Sequence, residues 1–209
     1  MNRQPVKFYR AALSGHCHRV QLMMSVLGVQ YEIIEVNLGA GEQKQAPFIT
    51  MNAFSQVPVI DDNGLVLADS NAILVYLVKQ YGGGKWLPDD ATTAAQVQRW
   101  LSAAAGPVAY GLCRARLITV FGAPYDANDV IAEGHRFLKV MEQELAQREW
   151  LAGEAASLAD IANYAYVAHA PEGNVSLQAY PNVRAWLKRV EGLSGFVPMG
   201  KSVAGLATA

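Results

Sequence analysis

This chain predicts an α/β domain followed by an all-helical bundle domain, and three observations carry the prediction. Residues 1–80 alternate strand and helix signals, the strand signals fade after Gly82-Gly83-Gly84, and beyond that run the apolar residues recur at helical spacing. The expected division is 1–80 for the α/β domain, 81–88 for a linker and 89–209 for the helical domain.

Each element has its own signal. Val6-Lys7-Phe8-Tyr9 reads as a short strand. Val20, Met23, Met24 and Leu27 then recur with helical period, and Gly28 supplies the stop. Tyr31, Ile33 and Val36 alternate as a second strand, parallel to the first because a helix crosses between them. Residues 39–45 are a polar loop. Val57 to Ile60 and Leu65 to Leu67 flank Asp61-Asp62-Asn63-Gly64, and Asn-Gly between apolar runs predicts an antiparallel hairpin. Ile73, Tyr76, Leu77 and Gln80 place a helix after it. The order βαβ then ββα, with a proline ahead of the third strand, is the thioredoxin-like arrangement.

In the second half, one helix is expected from about Thr92 to Leu117, with Pro107 as a kink or break. A second carries Ile131, Leu138, Met141 and Leu145. Ser157-Leu158-Ala159-Asp160 has the form of a capping box, with Asp in place of Glu, and opens a third. Pro181 stands as a first-turn proline for a fourth, whose inner face is Val183, Trp186, Leu187 and Val190.

Gln56-Val57-Pro58, followed by Asp69-Ser70 at the mouth of a helix, is the most informative stretch. A central strand does not tolerate proline. The run makes sense if the Val57–Pro58 bond is cis and Val57 leaves its own N–H and C=O at an edge for an extended peptide. Asp69 and Ser70 add side-chain oxygens and free helix N–H groups, which suit a ligand bearing both an amine and a carboxylate. A small zwitterionic peptide fits both halves.

Composition narrows the field. In 209 residues, 52% are hydrophobic, 17% are charged and the net charge is −1, so nothing favours nucleic acid or an anionic membrane. Two cysteines, Cys17 and Cys113, make neither a disulfide framework nor a metal cage. Met1-Asn2-Arg3-Gln4-Pro5 lacks a signal peptide's apolar stretch, and no run reaches the roughly 18 apolar residues of a membrane span. A cytoplasmic protein is the expectation.

Taken together, Gln56-Val57-Pro58-Val59, Asp69-Ser70-Asn71-Ala72-Ile73 and Tyr76-Leu77 resemble the cytosolic glutathione transferase family. So do Leu13-Ser14-Gly15-His16-Cys17 through Arg19-Val20 to Leu27-Gly28-Val29, and Ser157-Leu158-Ala159-Asp160-Ile161, and the likeness covers nearly the whole chain. It implies a thioredoxin-like domain that binds glutathione as co-substrate, a helical domain that shapes the pocket of a small electrophile, and a homodimer. Two departures stand out. Asn52 is followed by Ala53 where the family often has proline, and His16 stands where asparagine is common.

A glutathione thiol of pKa about 8.5 is mostly protonated at neutral pH, yet the thiolate is the nucleophile. Lowering that pKa by about two units takes about 2.7 kcal/mol of preference for the anion. A hydroxyl at a helix N-terminus supplies donor and dipole together. The resemblance gives that role to Ser14, which is otherwise an ordinary N-cap. Its rival, Cys17, lies at the resolving position of a Cys-x-x-Cys frame whose attacking residue has become Ser14. Tyr9 falls short of the position used by tyrosine-type relatives. His16 and His18 flank Cys17 on one turn, splay apart and lack a fourth ligand, so no metal is expected.

The remaining contacts follow from the same resemblance. Gln43 and Lys44 would hold the glycyl carboxylate, Val57's backbone the cysteinyl segment, and Gln56, Asp69 and Ser70 the γ-glutamyl end. Leu13, Tyr110 and Arg114 would line the electrophile pocket, with Tyr110 and Arg114 sharing a helical face at i, i+4. Isomerisation through glutathione, thiol–disulfide or peroxide reduction through Cys17, and a non-catalytic glutathione-binding protein are the alternatives.

Overall fold

Alternating apolar residues and the Asn-Gly turn build a four-stranded sheet in the computed structural model, which describes residues 4–82 and 84–208. Met1-Asn2-Arg3, Gly83 of the glycine run and Ala209 lie outside the described residues. The chain divides into two units, Met1–Gly84 with Ser194–Gly200, and Lys85–Leu193 with Lys201–Ala209.

In the first unit, β1 (Val6–Arg10), α1 (Gly15–Val26) and β2 (Tyr31–Glu35) form the parallel crossover. A short α2 (Phe48–Met51) precedes the hairpin of β3 (Val59–Asp62) and β4 (Leu65–Ala68), and α3 (Ser70–Leu77) closes the unit. Strand order is β2-β1-β3-β4, with β1–β3 and β3–β4 antiparallel. Asn63 and Gly64 take positive φ of 55° and 93°, the geometry that a two-residue hairpin turn demands. Phe8, Leu22, Met23, Met24, Ile60, Ile73, Leu74 and Leu77 are fully buried. On the other face Val36, Phe48 and Val59 form a smaller cluster, with Tyr9, Met51 and Val57 packed on it. The buried Asp62 carboxylate accepts from Tyr76 (2.7 Å) and Tyr81 (2.5 Å), which ties β3 to α3 and to the turn Val78–Gly82 that follows it.

Two details depart from the sequence reading. The third strand begins at Val59, not Val57, because Pro58 has no N–H to give the ladder; the Val57–Pro58 bond is cis. Residues 194–200, which the sequence reading assigned to the helical domain, belong to this first unit. His18 Nε2 lies 2.8 Å from the Val197 carbonyl; since a carbonyl only accepts, Nε2 carries the hydrogen.

The second unit is helical: α4 (Ala91–Ala105), α5 (Arg114–Phe121), α6 (Ala127–Leu145), α7 (Leu158–Ala168) and α8 (Pro181–Glu191). The single helix expected from Thr92 to Leu117 is interrupted. Pro107 has no N–H for the i−4 carbonyl, so α4 ends at Ala105 and a π-helical turn, Ala109–Cys113, leads into α5. At that turn a Cβ on Gly111 would stand 2.7 Å from the Gly134 nitrogen of α6, so glycine permits the close crossing. The capping box at Ser157 and Asp160 forms, and Asp160 does more than cap. Its carboxyl group also accepts from Leu151 N–H (3.0 Å) and the Trp186 indole (2.8 Å), gathering α7, a loop and α8 around one buried side chain. Val183, Trp186, Leu187 and Val190 are all buried. Among the described residues, no helix is long and apolar enough to cross a membrane.

Candidate active site

Strand register decides which residues of the first unit converge. Arg10 pairs with Glu35 at the C-terminal ends of β1 and β2. Tyr9 opposes Val59 at the start of β3, and Val59 opposes Ala68 at the end of β4. Everything that follows β1, β2 and β4, or precedes β3, therefore emerges at one end of the sheet. That set holds Leu13 and Ser14, the loop with Gln43 and Lys44, Gln56 and Val57, and Asp69 and Ser70. Carboxyl ends of strands next to helix N-termini are where open α/β sheets take ligands.

Ser14 is the N-cap of α1, at φ −86° and ψ 118°, and its Oγ accepts the Cys17 N–H at 3.3 Å. A hydroxyl that accepts there keeps its own hydrogen for a second partner. Capping and anion donation are thus compatible in one side chain. Cys17 is buried, 1% exposed, and burial pushes its thiol up to about 11 against the smaller opposing influence of the Ser14 hydrogen bond. At neutral pH it is a protonated, enclosed thiol, the opposite of a reactive cysteine. His16, two residues beyond Ser14 in the first turn of α1, is held down to about 3 by burial and then by the Arg19 cation, so its imidazole is neutral. Tyr9 packs edge-on against Phe48 in the smaller cluster.

The second helix mouth belongs to Asp69. Oδ1 accepts the N–H groups of Asn71 and Ala72, both at 2.9 Å, while among the described residues Oδ2 accepts none. Its backbone, at φ 69° and ψ 120°, is sparsely populated for a side-chain-bearing residue; such strain costs about 1–3 kcal/mol and gathers at ligand sites. Ser70 is buried, with its Oγ 3.3 Å from Arg19 Nη1. Among the described residues no hydrogen bond takes up the Val57 N–H or C=O. Gln56 is exposed and its carbonyl accepts from the Asn52 amide at 2.8 Å. Lys44 is exposed and Gln43 half-buried, on the short helical turn Glu42–Lys44.

Three participants escaped the sequence reading. Arg19, 1% exposed, reaches from α1 to Ser70 and to Asn71 Oδ1 (2.9 Å), joining the two helix mouths. An arginine on the buried face of an otherwise apolar helix was the available signal. Asn52 donates to the Gln56 carbonyl and accepts from Phe54 N–H at 3.0 Å, shaping the loop that presents Val57. Tyr125, beyond α5, places its ring beside Arg114, and nothing in the local pattern marks it.

In the second unit, Tyr110 and Arg114 line one cavity of about 580 Å³ together with Pro107, Asp129, Val130 and Glu133. Among the described residues no group of three or more His, Cys, Asp or Glu side chains is arranged to hold a metal ion.

Residues 4–79 match the family model for the glutathione S-transferase N-terminal domain, and residues 124–193 match that for the C-terminal domain. Glutathione S-transferase D7 of Anopheles gambiae is 33% identical over 189 residues, covering 88% of this chain and 85% of the relative. Glutathione S-transferase 3 of Zea mays is 32% identical over 92% of this chain and 91% of its own length. Among solved structures, a glutathione S-transferase from Pseudomonas fluorescens superposes with a TM-score of 0.90 at 31% identity, covering 95% of this chain and all of that one. With both family regions matched, relatives above 30% identity over most of their length, and a thioredoxin-like sheet bearing two capped helix mouths at one end, this chain belongs to the glutathione S-transferase family.

Proposed function

We propose that this chain is a glutathione transferase in which Ser14 stabilises the glutathione thiolate for attack on a small electrophile. The observation that carries the reading is the convergence at one sheet end of an N-cap hydroxyl, a strand edge with open main-chain groups and a half-used carboxylate. Val57 pairs with the cysteinyl segment through its N–H and C=O. Asp69 Oδ2 answers the γ-glutamyl ammonium, Ser70 and Gln56 take its carboxylate end, and Gln43 and Lys44 take the glycyl carboxylate. The Ser14 O–H donates to the sulfur while the start of α1 adds its positive end, so the anion is favoured without a proton shuttle. Neutral His16 leaves that balance to the hydroxyl and the helix. Leu13, Tyr110 and Arg114 are proposed to meet the electrophile. Cys17 is a packed thiol, which disfavours disulfide or peroxide reduction through it.

Residues 1–80 are proposed as the glutathione-binding domain, with the returning segment 194–200 grouped with it, 81–88 as the linker and 89–209 otherwise as the helical domain, in a cytoplasmic homodimer engaged in detoxification. The test is steady-state turnover of glutathione with 1-chloro-2,4-dinitrobenzene. Ser14→Ala is expected to lower kcat/KM by about 10²-fold and to shift the pH–rate profile upward. Cys17→Ala is expected to stay within about threefold of wild type. Loss of turnover in the cysteine variant alone would overturn the serine assignment.

A further inference from the structure

The guanidinium of Arg114 lies 4.7 Å from the centroid of the Tyr110 ring and 4.9 Å from that of Tyr125, both within cation–π range. These rings hold the side chain in place yet offer its N–H groups no oxygen. Among the described residues, no carboxylate reaches ion-pair distance of Arg114 and no hydrogen bond uses its donors. The other arginine on the same cavity, Arg136, is different: its Nε donates to Glu133 at 3.0 Å and its charge is matched. One planar, five-donor fork is therefore anchored at the wall of a 580 Å³ cavity without a protein acceptor. Pro107, Val130 and Ala132 give that cavity an apolar lining.

Charge decides what kind of anion fits. Arg114 and Arg136 are balanced by Asp129 and Glu133, so the cavity has no excess positive potential to gather a polyanion. Asp129 also lines the wall and repels a second negative charge. The attraction is local, at the Arg114 fork, and suits a single planar carboxylate met by two parallel N–H donors.

We propose that this cavity binds a small monocarboxylic acid with an aromatic or apolar body, Arg114 holding the carboxylate and Tyr110 and Tyr125 holding Arg114. That such an acid serves as the electrophilic second substrate rests on the transferase reading; the binding does not, and it is measured without glutathione.

Calorimetric titration with 3-phenylpropanoate, 3-phenylpropanamide and phenyl phosphate tests it. The acid is expected to bind at least about tenfold more tightly than the amide, and the phosphate no more tightly than the acid. Arg114→Gln is expected to erase the preference for acid over amide. Arg114→Lys, which keeps the charge and loses the fork, is expected to weaken the acid by about tenfold. Tyr125→Leu, which loosens the fork without touching its charge, is expected to weaken the acid by a few-fold. Equal binding of acid and amide by the wild type, no binding of either, or an intact preference in Arg114→Gln overturns the proposal. Ser14→Ala separates the two claims: it is expected to bind the acid normally while losing turnover. Turnover that depends on Ser14 in a protein that ignores the acid would sink this inference and leave the transferase reading standing.

Discussion

At the scale of single residues, the proposed reading gives Asp69 two jobs, and substitutions separate them. Asp69 spends Oδ1 on the cap while among the described residues Oδ2 accepts no hydrogen bond, so Asp69→Asn would remove the proposed countercharge to the γ-glutamyl ammonium and keep a competent N-cap. The expected outcome is a KM for glutathione raised about tenfold, equivalent to about 1.4 kcal/mol, with a nearly unchanged unfolding midpoint. Asp69→Ala should lose about 1 kcal/mol of stability in addition, read by urea unfolding. Cys17 illustrates the converse, a chemically capable group disarmed by its surroundings. With its thiol raised to about 11 by burial, iodoacetamide at pH 8 should alkylate the native protein at least about 10²-fold more slowly than the urea-unfolded chain. Rapid native alkylation with loss of turnover would revive a cysteine mechanism.

Among elements, two places where helices meet rest on particular residues. Gly111 and Gly134 let the π-helical turn approach α6, and a Cβ on Gly111 meets main chain rather than a side chain able to swing aside. Gly111→Ala is therefore expected to destabilise by about 1–3 kcal/mol by chemical denaturation, despite alanine's better helix propensity. A neutral or stabilising result would mean that the crossing is looser than drawn. Asp160 is the other such point. It was legible as a cap from Ser157-Leu158-Ala159-Asp160, whereas its bonds to Leu151 and Trp186 come from segments distant in sequence and could not be read from that tetrad.

For the molecule as a whole, a buried ionic cluster in the second unit makes stability depend on pH. Arg116 Nε donates to Glu172 Oε2 at 2.7 Å, His169 Nδ1 lies 2.6 Å from Glu172 Oε1, and Ser202 N–H donates to the same oxygen at 3.1 Å. Burial lowers the His169 imidazole below its ordinary 6.5, with Glu172 pulling the other way and Arg116 and Lys201 adding to the lowering. Burial would raise the Glu172 carboxyl, but the bonds from His169, Ser202 and Arg116 outweigh it and hold the carboxyl below its ordinary 4.5. Both folded values are depressed, so the unfolded chain binds more protons across each window and stability is lost as pH falls. The imidazole contribution should fade as pH drops below about 6.5 and the carboxylate contribution below about 4.5. Urea midpoints at pH 7.5, 6.0 and 5.0 are expected to decline, and to decline less in His169→Asn. A midpoint that rises toward acid would contradict the sign.

How much could be read from the chain alone follows from which interactions are local. Strand alternation, the Asn63-Gly64 turn, the caps at Ser14, Asp69 and Ser157, and the helix break at Pro107 all depend on residues within a few positions of one another. They therefore determined both the order of elements and which residues stand at helix mouths. Pairing across the chain is a different matter. Only strand register brought the ends of β1, β2, β3 and β4 to one edge, and only packing turned Arg19 inward to Ser70 and Asn71. Tertiary structure likewise disarmed Cys17 by enclosing it and set Tyr125 beside Arg114. Local steric and hydrogen-bonding preferences are written in the neighbouring residues. Burial, and the electrostatics that follow from it, are properties of groups that meet only after the chain has folded.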